Sequence, residues 1–388
     1  MKVAIVGGKL QGVEAAYLAQ QAGWQVLLID RDPDVPARGL VHSFIQSDVI
    51  TNASDISDIF KEMDLVIPAL ENQKALESLK DLAKRKNFHL AYDDAAYAVT
   101  SSKKKSDSLF KEMDLPAPRP WPESGFPLIL KPSGSSGSQG IERIENFEEL
   151  TAFVQEINLQ NGNWIIQEFL EGPSYSLEVV GLNGNYYPLQ PTIIEIDAEF
   201  DCKRVIAPAG LSETHGRRFD EIAVALAEAI KLKGIMDIEV ILHENELKIL
   251  EIDARLPSQT PTTVLKSTGI NMLGLLCDIF NRGKISPIQK IGNEKAVIYE
   301  HIKVGPDTVE VAGEHIISEA RHLRYRRNFF GADEALTDFE PDNRNWVATL
   351  ILSAKTKEEV VRKHYRVLDT IRSTFDLREC PDSHPGSS

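Results

Sequence analysis

Residues 236–253, MDIEVILHENELKILEID, constrain the fold more than any other part of the chain. Two runs of alternating acidic and apolar residues flank the turn-forming residues 243–246, the pattern of a β-hairpin whose two faces differ. Side chains on a strand point alternately to opposite faces. With the turn centred on Asn245, Glu239 stands opposite Glu251. Asp237, Glu239, Glu251, Asp253 and Arg255 then share one face. Ile238, Val240, Leu242, Leu250 and Ile252 share the other, which is the core face. Clustered carboxylates repel unless positive charge sits among them. Hard oxygen ligands so arranged suit Mg2+, which takes one or two carboxylates together with nucleotide phosphates. The competing reading is an acidic, solvated sheet face, where charges of both signs are the more usual mixture.

A second segment points to phosphate. Lys131 ends an apolar strand over residues 127–131, and Gly134, Gly137 and Gly140 follow in the loop 133–140, SGSSGSQG. Small residues leave backbone N–H groups able to wrap phosphate oxygens, and a strand-anchored lysine adds a fixed positive charge. This is not a Walker loop, because no GK[ST] follows and no helix begins at the glycines. A flexible linker has the same composition; the lysine immediately before the loop is what favours phosphate. Residues 167–172, QEFLEG, follow a strand over 164–168 and have the form of a hinge. Such a hinge can offer backbone groups to an adenine edge and an acid to its amino group.

The chain opens with strand 3–6, a turn over 7–12, helix 13–22 and strand 24–29 closed by Asp30, the start of a βαβ unit with a parallel sheet. A buried strand over 65–70 and a polar helix over 73–86 continue it. The turn GGKLQG carries Lys9 where a dinucleotide site needs its middle glycine for close approach of the pyrophosphate. An NAD-dependent oxidoreductase is therefore a disfavoured rival. The turn either receives an amino-acid carboxylate or is purely structural.

The rest of the chain reads as further units. A helix from about 101 to 113 precedes the proline-rich connector LPAPRPWP, and a helix over 148–156 follows the glycine loop. Antiparallel strands are expected over 175–182, 186–196 and 204–208, then a helix over 219–231. Beyond the hairpin, strands over 296–303 and 346–354 and a helix over 357–375 form a third region. With 388 residues, two or three domains are expected. The expected divisions are 1–100, 101–285 and 286–376, with a tail at 377–388. The chain carries 43 basic and 58 acidic residues, a net charge of −15, which argues against nucleic-acid and anionic-membrane partners. Nothing approaches a membrane span of about 20 apolar residues. Cys202, Cys277 and Cys380 are few and scattered, with no zinc spacing and no disulfide framework, which fits a soluble protein of the cytoplasm.

Taken together, these residues resemble the ATP-grasp superfamily. Its order is a lysine ahead of the central domain, a strand lysine with a glycine loop, a hinge of the form Q/E-E-F-x-x-G, and paired acids ending in E-x-[ND]-x-R. Here that order reads Lys104, Lys131 with the loop 133–140, the hinge 167–172, then Glu239 and the run Glu251, Asp253, Arg255. The resemblance spans roughly residues 1–300. It implies an α/β and α+β architecture: a Rossmann-like parallel-sheet N-terminal domain, a central two-subdomain ATP-binding domain and a smaller C-terminal domain.

It also implies roles. ATP and Mg2+ are the expected cofactors. Lys104, Lys131 and the loop residues Ser135, Ser136, Gly137 and Ser138 would meet the phosphates, with Lys203 as a further phosphate contact. Gln167, Glu168, Phe169 and Leu170 would hold adenine. Glu239, Glu251 and Asp253 would bind the metal, and Arg255 would steady a carboxylate or acyl phosphate. Many members carry a ribose-gripping glutamate two residues after the hinge glycine; here that residue is Ser174, so Glu178 is the expected substitute. Asp253 stands where asparagine is more frequent.

More narrowly, the opening MKVAIVGGKLQGVEAAYLAQQAGW and the segment VIPALENQKAL resemble the ligase family of pyrrolysine biosynthesis. That implies joining the carboxylate of 3-methyl-D-ornithine, or D-ornithine, to the ε-amino group of L-lysine through an acyl phosphate. The expected substrate residues are Lys9, Leu10, Gln11, Glu71 and Arg255, and a homodimer is common in such ligases. The base that deprotonates the incoming amine has no sequence signature. Two further rivals are a purine-pathway ATP-grasp carboxylase or ligase, which would share the ATP residues, and a non-enzymatic ATP-binding regulator.

Overall fold

The apolar run at the N-terminus forms the strand Lys2–Val6, which pairs in parallel with Gln25–Asp30 on one side and Leu65–Pro68 on the other. Ser43–Gln46 completes a four-stranded parallel sheet. Such a sheet must be covered on both faces. Val3 and Ile5 pack with the helix Leu10–Gln21, whereas Ala4 and Val6 pack with residues of the helices Ala53–Lys61 and Gln73–Lys86. The computed structural model describes residues 1–134, 140–156, 164–288, 294–378 and 385.

The second layer is an eleven-stranded sheet. It begins at the hairpin, Glu246–Asp253 beside Gly234–His243, and passes through Ser174–Leu182, Thr192–Ile196 and Cys202–Ala207. It then continues through Ala296–Val304, Trp346–Ala354, Ala332–Thr337 and Arg324–Phe329. Cys202–Ala207 pairs directly with Ala296–Val304, so the division expected at 285/286 falls within one continuous sheet. A third, small antiparallel sheet of Glu142–Ile144, Leu128–Pro132 and Trp164–Glu168 stands over the hairpin and carries Lys131. The α/β and α+β architecture is as expected.

Three local features depart from the expected elements. The single strand expected over 186–196 is two, Asn185–Pro188 and Thr192–Ile196, which pair with successive parts of Ser174–Leu182. Pro191 lies at the break and cannot donate to a ladder. The helices Thr260–Thr268 and Met272–Arg282 were not expected; threonines at 260, 262 and 263 give the first of them little helical signature. The hairpin itself carries a bulge: Glu239 stands opposite Glu251, but Val240 stands opposite Ile249. Ile249 and Leu247 therefore join Ile238, Val240 and Ile252 in the core, while Leu250 turns to the other side. A one-residue slip reverses every side chain beyond it, and a bulge does this locally.

Candidate active site

The paired acids occupy the face of the hairpin that the small sheet covers. Asp237 faces Asp253 and Glu239 faces Glu251 across the two strands. Ser176 of the neighbouring strand donates its hydroxyl to Asp237, and Glu178 stands beside Asp237 in register. Burial, with Asp237 and Glu251 close by, pushes the Glu239 carboxyl up to about 8. Burial raises Asp253 to about 6, although Arg255 opposes the shift. Asp237 is raised well above its ordinary value by burial and by Glu178. Carboxylates shifted in this direction lack sufficient positive charge. A divalent cation supplies it, and hard oxygen donors from facing strands match Mg2+. Glu239 and Glu251, which face each other and border the open space beside the hairpin, with Asp253 next along the strand, are the acids placed to hold it.

Two lysines approach from different elements. Lys131, at the end of Leu128–Pro132, is 6% exposed and donates to the Leu250 carbonyl at 3.3 Å. Burial lowers its pKa. Lys103, at the first turn of the helix Lys103–Glu112, places Nζ 2.7 Å from Glu251 Oε1. Lys103, and not the expected Lys104, reaches the acidic hairpin; Lys104 is exposed and contributes its backbone N–H to Ser133 Oγ. The helical period carried this signal. Lys103, Ser106 and Phe110 are its buried stripe, at i, i+3 and i+7.

Between the small sheet and the hairpin lies a cleft of about 460 Å³. Lys103, Lys131, Lys203, Glu239 and Glu251 line its polar end. The hinge residues Gln167, Glu168, Phe169 and Leu170 and the apolar residues Ile129, Ile194, Phe200 and Leu250 line the rest. Phe169 stacks under the Arg143 guanidinium, 4.1 Å from the ring centre, and meets Phe200 edge-on. The Glu168 carboxylate accepts from the Arg119 backbone and side chain at 2.9 and 2.8 Å and from Lys248 at 3.3 Å. Burial raises its pKa, but these partners outweigh burial and hold it below the ordinary range.

Glu178 does not reach this cleft. Ser174 lines it, but Glu178 lies four residues along the strand, about 13 Å away, where it is fully buried. Burial raises its carboxyl to about 7. The expected loop contacts Ser135, Ser136, Gly137 and Ser138 lie outside the described residues, as does Cys380.

A second, smaller cavity of about 150 Å³ lies behind the acids. It shares Ile194, Ile196, Phe200, Glu239 and Glu251 with the cleft and adds Asp201, Asp237, Asp253, Arg255, Ser258, Gln259, Thr260 and Glu314. Arg255 bonds Asp253 at 2.6 Å and Glu71 at 2.7 Å, and Gln11 donates to Glu71 at 3.0 Å. The structure so brings together three of the five expected substrate residues. Lys9 is exposed and borders another hollow, and Leu10 packs against the core. Asp30, the acid a dehydrogenase would offer to a ribose, accepts from Gly8 N at 2.7 Å and so closes the turn on itself. Gly7 and Gly12 make that turn tight: a Cβ on Gly12 would lie 2.1 Å from the Gly7 carbonyl oxygen.

Sequence reasoning missed Lys103, Ser258, Gln259 and Glu314 as site residues. Only the first had a periodicity that could reveal it. The others sit in loops brought in by tertiary packing.

The chain has relatives among known proteins. A family model for the ATP-grasp domain matches residues 100–259. The 3-methyl-D-ornithine–L-lysine ligase of Methanosarcina mazei is 33% identical, covering 96% of both chains. The enzyme of the same name from Methanosarcina barkeri is also 33% identical, over 96% of this chain and 98% of that one. Among solved structures, the biotin carboxylase domain of Hydrogenobacter thermophilus 2-oxoglutarate carboxylase, in complex with MgADP, ADP and bicarbonate, superposes with a TM-score of 0.73. It is 18% identical and covers 95% of this chain and 89% of that one, a likeness of fold.

Proposed function

The chain belongs to the ATP-grasp family of 3-methyl-D-ornithine–L-lysine ligases, and from that premise we propose how its site joins the two amino acids. The carboxylate of 3-methyl-D-ornithine, or of D-ornithine in its place, becomes an amide of the L-lysine ε-amino group, with ATP converted to ADP and phosphate. The reaction belongs to pyrrolysine biosynthesis. The observation that carries this reading is the shared acidic wall: Glu239 and Glu251 border both the nucleotide-sized cleft and the polar cavity behind it.

In the first half-reaction the donor carboxylate attacks the γ-phosphorus of ATP from the cavity side. Lys131, Lys103 and Lys203 line the cleft where negative charge accumulates, and Arg255 holds the donor carboxylate. Glu239, Glu251 and Asp253 would hold Mg2+, which would supply charge neutralisation to the transferred phosphoryl group. The hinge backbone near Leu170 receives adenine. Gln11 and Glu71, already linked to Arg255, offer polar groups to the donor's ammonium. In the second half-reaction the amine attacks the acyl phosphate and phosphate leaves. No protein nucleophile is required; burial pushes the Cys202 thiol well up, so it stays protonated.

The same proposal puts a homodimer in the cytoplasm. Light scattering checks the assembly state. Among the described residues no single helix is long and apolar enough to cross a membrane. Phosphorus NMR tests the mechanism: with both amino acids and Mg-ATP, signals of ADP and inorganic phosphate should grow together. Growth of AMP and pyrophosphate would mean acyl adenylation and would refute the acyl-phosphate route.

A further inference from the structure

The acceptor reaches the site as an ammonium ion, because the reference pKa of a lysine side chain is about 10.4. Attack on an acyl phosphate needs the neutral amine, so a group at the cavity must take a proton. Glu314, brought in from the C-terminal part of the chain, lines the cavity behind the metal acids. It makes no ion pair among the described residues. Its two hydrogen bonds, from Ser258 Oγ at 3.2 Å and from Gln259 Nε2, both fall on Oε2.

The Gln259 amide is oriented by a second contact, since the Cys202 thiol donates to its Oε1 at 3.0 Å. Gln259 itself sits at φ +72°, ψ −54°, and Thr260 N donates to Ser258 O at 2.9 Å. That is a γ-turn of the strained kind, a conformation that persists where the surroundings enforce it and that clusters at functional sites. Beside it, Thr260 is 4% exposed and lines the same cavity, its hydroxyl directed to the buried Glu178 carboxyl. A strained turn and a carboxylate with one oxygen unengaged therefore converge on a cavity that adjoins the acidic hairpin.

We propose that Glu314 receives the ε-ammonium group of the acceptor amino acid and takes one of its protons before the nitrogen attacks. This rests on the ligase reading above. Glu314 Oε1 accepts a proton from the ammonium, giving a neutral amine and a carboxylic acid. The amine lone pair forms the C–N bond at the acyl carbon. The C–O bond to the phosphoryl group breaks, and phosphate departs with that electron pair. The second proton leaves the nitrogen for the departing phosphate, and Glu314 returns its proton to solvent.

The surroundings favour this use. The groups facing Glu314 are Asp201, Cys202, Glu239, Tyr299 and, oppositely charged, Arg255. Burial first, and Asp201 second, raise its carboxyl to about 7, in the range that suits a base at neutral pH.

The test separates the two half-reactions. Hydroxylamine, uncharged at neutral pH, traps an acyl phosphate as a hydroxamate without needing deprotonation of an ammonium. With D-ornithine and Mg-ATP, Glu314→Gln should form hydroxamate within about threefold of wild type, while coupling to L-lysine falls by about 100-fold or more at pH 7. The lysine deficit should narrow as pH rises toward about 10, where neutral amine becomes abundant. Equal losses of hydroxamate and lysine product, or no loss of lysine product, would overturn the role of Glu314. A wild type that makes no hydroxamate would instead overturn the ligase reading. If Glu314→Gln does not fold, Glu314→Asp keeps the charge one methylene shorter. Its KM for L-lysine should rise about tenfold at unchanged hydroxamate yield, and a parallel loss of both activities would contradict the proposal.

Discussion

Lys131 and Lys103 approach the acidic hairpin from two different elements, and their settings differ. Lys131 is buried against the Leu250 carbonyl, whereas Lys103 already neutralises Glu251. Lys131→Ala should weaken ATP binding and slow turnover by about 100-fold, the scale of losing one electrostatic group at a phosphoryl-transfer site. Lys103→Ala should lower turnover, and Lys104→Ala should leave it near wild type. Steady-state kinetics of the three variants decides between them; a Lys104→Ala defect larger than that of Lys103→Ala would contradict the assignment. Glu251→Gln should abolish ligation while the thermal melt stays cooperative, because its side chain packs no core. Near-normal turnover at saturating Mg2+ would remove Glu251 from the metal site. At this scale the sequence revealed the acids well, since alternation alone puts Asp237, Glu239, Glu251 and Asp253 on one face. It was blind to Glu314 and Gln259, whose loop positions follow no period.

The hairpin shows what an element can hide. Its existence, its turn and the pairing of Glu239 with Glu251 follow from the residue pattern. The bulge does not, because Leu250 is as apolar as its neighbours and either face would accept it. The consequence is measurable. Ile238→Ala or Ile252→Ala removes a buried core side chain and should cost about 2–5 kcal/mol in urea unfolding. Leu250→Ala should cost much less stability but raise KM for ATP, because Leu250 lines the cleft proposed for the nucleotide. If Leu250→Ala destabilised as much as Ile252→Ala with KM unchanged, the bulge would be misplaced. The threonine-led helix Thr260–Thr268 was hidden for a related reason, local propensity being overridden there by tertiary packing, whereas the break at Pro191 follows a local signal, since proline cannot donate to a ladder.

Across the whole molecule, a buried ion network joins the central strands to the C-terminal helix. Arg204, fully buried, pairs with Glu195 and Glu300, and His364 Nε2 lies 2.8 Å from Glu300 Oε1. Burial raises the Glu300 carboxyl, but Arg204 and His364 outweigh it and bring it down to about 2. A carboxyl so depressed stabilises the fold above its ordinary pKa of 4.5, and that contribution is lost as pH falls toward about 2. Glu300→Gln should therefore destabilise the protein by about 3–5 kcal/mol at pH 7. It should also flatten the loss of stability below pH 4.5, as urea melts across that range would record. The sequence announced the parallel sheet and the central region, each with its own period. Nothing in it signalled that the third region would extend the same sheet, because strand partners far apart in the chain leave no mark on local pattern.

On the proposed function, the two cavities sharing the Glu239 and Glu251 wall join two amino acids. Enzyme incubated with Mg-ATP, D-ornithine and L-lysine should yield a product lighter than the two amino acids together by one water. Fragmentation in the mass spectrometer should place the new amide on the lysine side chain. No such product, with ATP consumed instead alongside bicarbonate and a purine precursor, would contradict it.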